Sequence, residues 1–145
     1  HIIANKGHII SVSSIAGYRG LPGRTAYSAS KFAMNGFIEA LRLELKPHQV
    51  HVGVISPGFT ASNIRKRALK SDGTPQGDSP LQENKLMSAE EVANEVYQAV
   101  LKRKREVVLT AQGKLTVWLN KLLPSLADTL VFNHFKKEKN SPVGR

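Results

Sequence analysis

Two rhythms of apolar positions alternate along the chain. Residues 7–14, GHIISVSS, are β-branched and apolar and end in small polar residues, which predicts a buried strand. A loop with three glycines and one proline follows, IAGYRGLPGRTA. From about residue 26 to 46 the period becomes helical: Phe32, Met34, Phe37, Ile38, Leu41, Leu43 and Leu45 keep an apolar face until Pro47 ends the helix. VHVGVIS, residues 50–56, predicts a second strand that breaks at Pro57 and Gly58. Residues 59–87 are polar and rich in Gly, Pro, Ser and Asp, with one short helix at 64–70. A loop of that length in a compact domain reads as a functional lid or an insertion. Ser88 and Glu91 then form a capping box ahead of a helix whose buried stripe is Val92, Val96, Ala99 and Val100. EVVLT, residues 106–110, predicts a third strand.

Strands separated by helices imply parallel pairing through right-handed crossovers, and so an α/β fold. Three such strands leave a bare edge and an uncovered face, because parallel sheets are covered on both sides. The chain also begins in what reads as a helix end running into a strand, so the expectation is the second half of a larger domain. The tail differs in kind. Leu115, Trp118, Leu119, Leu122, Leu126, Leu130 and Val131 recur at helical spacing with a break at Pro124. They predict two short helices that cover the core or a partner subunit, with a basic amphipathic segment on a membrane surface as the alternative.

Composition narrows the class. The 145 residues, 41% of them hydrophobic, suffice for one domain. No apolar run is long enough to span a bilayer, and HIIANKGHII lacks the features of a secretory signal, so a cytoplasmic protein is expected. There is no cysteine, hence no disulfide framework and no thiolate metal site. His1, His8, His48, His51 and His134 show no metal-ligand spacing, and His48 and His51 read as exposed turn residues beside a strand. The net charge of +10 is gathered in three blocks: Arg65, Lys66, Arg67 and Lys70; Lys102, Arg103, Lys104 and Arg105; and Lys136, Lys137 and Lys139. The middle block closes a helix, where cations favour the dipole, and no nucleic-acid motif accompanies any block. Nucleic acid is not an expected partner.

The candidate chemistry lies in YSASK. Tyr27 and Lys31 are four residues apart and share a helix face. Ser14 ends the first strand, Pro57 and Gly58 end the second, and ligands of open parallel sheets bind beyond those carboxyl ends. With GHIISVSSIAG and VISPGF, this combination resembles the classical short-chain dehydrogenase/reductase family over residues 7–110.

The resemblance implies the second half of a Rossmann-like, doubly wound parallel sheet. Residues 1–113 would be the catalytic half and 114–145 a basic extension. It implies an oxidoreductase that interconverts an alcohol and a carbonyl with NAD or NADP. Its site residues are Ser14 rather than Ser13, Tyr27 and Lys31. Hydride transfer builds charge on the carbonyl oxygen, so Tyr27 delivers a proton, and Ser14 holds that oxygen. A free phenol keeps its proton to about pH 10, so the Lys31 ammonium is needed to favour the phenolate. Lys31 also holds the nicotinamide ribose. Pro57 and Gly58 shape the wall against the nicotinamide, the Thr60 backbone meets its carboxamide, and Ser62 stands nearest the family's threonine position. Partners implied are a small-molecule substrate and further copies of the chain. Phe59, Ile64, Leu69 and Leu81 would give the lid a partly apolar lining. The family's glycine-rich dinucleotide turn has no counterpart in this sequence, so the chain alone is expected to be inactive, and a non-catalytic interaction or membrane-surface protein on the same fold is the alternative.

Overall fold

The computed structural model describes residues 1–69, 72–75, 77, 86–137 and 141–143, without the Arg65 side chain. Of the residues singled out above, Lys70, Leu81 and Lys139 lie outside this set. Three strands, β1 (His8–Val12), β2 (His51–Ser56) and β3 (Glu106–Val108), form one parallel sheet in the order β1-β2-β3. In register, His8 lies beside His51 and Val12 beside Ile55, while Val54 lies beside Glu106 and Ser56 beside Val108. All six residues of β2 are buried, as befits a central parallel strand with an almost uninterrupted apolar run. The predicted strand boundaries shrink because the chain leaves the sheet at Ser14 to cap a 3-10 turn and Thr110 becomes a helix cap.

The crossover from β1 to β2 is α1 (Thr25–Glu44), followed by a 3-10 turn at Lys46–His48 that places Pro47 where no helical N–H is needed. Its inner face supplies Ile38, which packs with Val50, Val52 and Val54, and with Ile9, Leu41 and Leu45 around them. Each such fully buried aliphatic side chain contributes about 1.5–3 kcal/mol. The apolar set predicted for this helix divides: Phe32, Phe37 and Leu43 are exposed at 47%, 64% and 70%. At about 100° per residue, Phe32 and Leu43 fall on one flank of the Ile38 line and Phe37 on the other.

After β2 come a short helix, α2 (Ile64–Arg67), and then α3 (Ala89–Leu101), which packs on β1 and β2. The capping box is present in full: Ser88 Oγ accepts from Glu91 N–H at 3.0 Å, and Glu91 Oε2 accepts from Ser88 N–H at 2.7 Å. The tail forms α4 (Ala111–Leu122) and α5 (Pro124–Lys136), with Pro124 opening α5 where a proline is tolerated. No helix among the described residues is long and apolar enough to cross a membrane.

One expectation is corrected. His51 is buried at 7% exposure rather than lying in an open turn. Its Nε2–H donates to Lys104 O at 3.0 Å, which leaves Nδ1 to accept from His8 Nδ1–H at 2.9 Å. Parallel pairing places the two rings side by side, an arrangement that local sequence cannot register.

Candidate active site

Ser13 is the last residue of its segment held by the sheet, its N–H donating to Ile55 O at 2.7 Å. At Ser14 the chain leaves it. The Ser14 backbone is extended, and its Oγ accepts from Ala16 N–H at 3.2 Å, capping a single 3-10 turn at Ile15–Gly17. The loop then folds back on α1 through Leu21 N–H, which donates to Ser28 Oγ at 3.1 Å. Local capping thus fixes where Ser14 stands relative to the start of α1.

Tyr27 is the third residue of α1 and 37% exposed, so its ring borders solvent at the carboxyl end of the sheet. One turn later, the Lys31 ammonium donates to Val12 O at 3.0 Å and lies 5.8 Å from the centre of the Tyr27 ring. That distance is within cation–π range. An ammonium has three donors, and Val12 O engages one of them. One turn further, Asn35 donates to Gly17 O at 3.0 Å. Tyr27, Lys31 and Asn35 therefore make one face of α1 that meets the end of β1 and the turn beginning at Ser14. Asn35 was not singled out from the sequence, although its i+4 spacing from Lys31 carried the signal.

The chain's two other tyrosines differ in setting. Tyr97 is exposed on α3 at 59%. Tyr18 accepts a hydrogen bond from Ser56 Oγ at 3.4 Å, and burial, with the Glu106 carboxylate a smaller cause, pushes its phenol up to about 12. A phenol so held stays neutral near neutral pH. Among the described residues, Tyr27 is the tyrosine that combines an accessible ring with a cation in cation–π range.

Pro57 is buried at the end of β2. Gly58 follows, where a Cβ would come within 2.8 Å of Thr110 Cγ2, so only glycine lets the ends of β2 and β3 approach this closely. Thr60 donates its hydroxyl to Gly58 O at 3.3 Å and forms a parallel bridge with Met87. The bridge uses Phe59 O and Ala61 N–H, and extended-chain alternation turns the Thr60 amide and carbonyl away from Met87. Ser62 is exposed and accepts from Ile64 N–H at 3.4 Å, so it serves the start of α2. Phe59, Ile64 and Leu69 are also exposed.

A parallel sheet with interleaved helices, and a hydroxyl, a phenol and an ammonium on elements that converge beyond its strands, defines an α/β protein of Rossmann-like fold. The short chain dehydrogenase family model matches residues 2–73. The chain is 37% identical over 137 residues to mouse dehydrogenase/reductase SDR family member 7B, covering 94% of this chain and 42% of that protein. It is 34% identical over 121 residues to the Drosophila melanogaster dehydrogenase/reductase SDR family protein 7-like, covering 83% and 37% of the two. Among solved structures, a short chain dehydrogenase from Burkholderia cenocepacia in complex with NADP superposes with a TM-score of 0.73 at 24% identity, over 90% of this chain and 49% of that one. The chain belongs to the short-chain dehydrogenase/reductase family. It spans less than half the length of these relatives.

Proposed function

We propose that this chain carries the catalytic half of an NAD(P)-dependent oxidoreductase that interconverts an alcohol and a carbonyl on a small-molecule substrate. The observation that carries the reading is the Lys31 ammonium, shared between Val12 O at 3.0 Å and the Tyr27 ring at 5.8 Å. A fixed cation thus stands beside an accessible phenol, the pairing on which this reading rests. In this reading Tyr27 gives its proton to the carbonyl oxygen during reduction and takes one from the alcohol during oxidation. Ser14 holds that oxygen, and Lys31 uses its remaining donors on the ribose hydroxyls.

The donor set fits a nicotinamide nucleotide, whose ring supplies or accepts the hydride when bound. Pro57 and Gly58 would form its wall, with the Thr60 backbone and Ser62 toward the carboxamide. NAD and NADP are both compatible with these residues. Residues 1–113 would form the catalytic half and 114–145 the extension, with a nucleotide-binding half supplied by a longer chain. The edge of β1 left unpaired among the described residues and the 42% coverage of the mouse relative support that division. Exposed Phe32, Phe37 and Leu43 on α1 support association with further copies.

The test is Tyr27→Phe in the complete protein. Nicotinamide-dependent turnover should fall at least about a hundredfold, the lower bound of the range typical for general acid–base groups, while cofactor affinity holds. Undiminished turnover would refute the assignment.

A further inference from the structure

The helices α4 and α5 are amphipathic in an inverted sense. At about 100° per residue, Leu115, Trp118 and Leu122 share one side of α4, and Gly113 and Asn120 stand opposite. The apolar side is the exposed one, at 59%, 55% and 57%. Gly113 is buried against Ile15, where a Cβ would come within 2.6 Å of Ile15 Cδ1. Asn120 donates to Tyr18 O at 2.9 Å and accepts from Arg19 Nη1–H at 2.8 Å. In α5 the division repeats, with Ala127 and Phe135 buried while Leu126 and Leu130 are 47% and 51% exposed.

Polar contacts hold this orientation. Arg19 bridges Asn120 on α4 and Asp128 on α5, and the Arg24 guanidinium lies 5.0 Å from the centre of the Phe135 ring. Turning the leucines inward would break these contacts, so the hairpin is latched with its apolar side outward. The latch residues belong to the loop between Ser14 and Tyr27.

Charge indicates the occupant. Residues 111–137 carry Lys114, Lys121, Lys136 and Lys137 against a single acid, Asp128, and Arg19 neutralises that acid. Lys114 and Lys121 lie two turns apart on one flank of the Leu115, Trp118 and Leu122 stripe. A second copy would bring lysines against lysines. An anionic bilayer offers an apolar interior beneath a negative surface, which matches both features, and tryptophan and leucine bordered by lysine are the residues of interfacial helices. We propose that the outer side of the α4–α5 hairpin is a docking surface for an anionic lipid bilayer, with Leu115, Trp118 and Leu122 entering the headgroup boundary and Lys114 and Lys121 meeting the lipid charge.

The test is co-sedimentation of the full-length protein with phosphatidylcholine vesicles, with and without phosphatidylserine. Binding to the anionic vesicles that weakens as salt is raised is expected, together with blue-shifted emission from Trp118, the single tryptophan of the 145 residues. Leu115→Ser, Trp118→Ser and Leu122→Ser together should lower vesicle affinity about tenfold or more, with far-UV circular dichroism unchanged. Lys114→Glu with Lys121→Glu should lower it by at least about fivefold per residue. These charge variants decide the matter if the apolar triple variant fails to fold. Vesicle binding unchanged in the variants overturns the proposal. So does its absence in the unmodified protein, or a dimer that the apolar variant dissociates while the unmodified protein binds no vesicles. The proposal is independent of the oxidoreductase reading, because Tyr27→Phe should leave vesicle binding as it was.

Discussion

At the scale of single residues, close approach governs the carboxyl end of the sheet. Gly58→Ala would press a Cβ toward Thr110 Cγ2, 2.8 Å away, and should cost about 1–3 kcal/mol of stability by urea unfolding. Adding Thr110→Ser removes that methyl and should recover part of the loss, giving a coupling of at least about 0.5 kcal/mol in a double-mutant cycle. A glycine that merely ended a strand would show no coupling. The same scale shows what spacing reveals. Tyr27 and Lys31 were legible because four residues are one helical turn; Asn35 repeats that spacing, and its task, holding Gly17 O at 3.0 Å, is set by tertiary contact.

At the scale of elements, caps and strand neighbours set the energetics. Ser88→Ala removes one half of the α3 capping box and should lower stability by about 1 kcal/mol, read as a shift in the denaturant midpoint. Ser88→Asp should largely preserve it. In β2, His51 is held below its ordinary 6.5 chiefly by burial, with His8 on β1, Arg42 on α1 and Arg103 before β3 adding positive charge, against the Lys104 carbonyl that favours protonation. The unfolded chain therefore takes up this proton first as pH falls. Stability is undiminished above about 6.5 and declines as pH falls from there toward the folded value. Thermal unfolding between pH 7 and pH 5 should show that decline, and His51→Gln should flatten it. An equal slope in the variant would assign the effect elsewhere.

At the scale of the whole molecule, the surface is unusually apolar along definite lines. β1 pairs with β2 on one edge only among the described residues, and Val12 on it is 48% exposed. A free parallel edge of this kind invites pairing. Together with the relatives' greater length, this supports the proposal that a nucleotide-binding half completes the sheet. The 145-residue chain alone should then bind NADPH at least a hundredfold more weakly than the complete protein, by fluorescence titration. Tight stoichiometric binding by the chain alone would remove that proposal. It would require a pyrophosphate site that no glycine-rich turn in this sequence provides.

Period and punctuation determined the elements. Branched apolar runs gave the strands, the 3.6-residue rhythm gave α1 and α3, and Ser88, Pro47 and Pro124 marked element ends, because these signals arise within a few residues of chain. The parallel direction of the strands followed from the helices between them. Which side of an apolar helix meets the core was settled only by tertiary packing. Ile38 is buried and Phe37 beside it is 64% exposed, since β2 offers one surface and the helix must choose. His51 became a buried partner of His8 by parallel register across 43 residues. The tail's leucines and tryptophan turned outward because Arg19, more than 100 residues away, fixes the polar side of the hairpin inward. Contacts between distant segments decide such matters, and no local pattern encodes them.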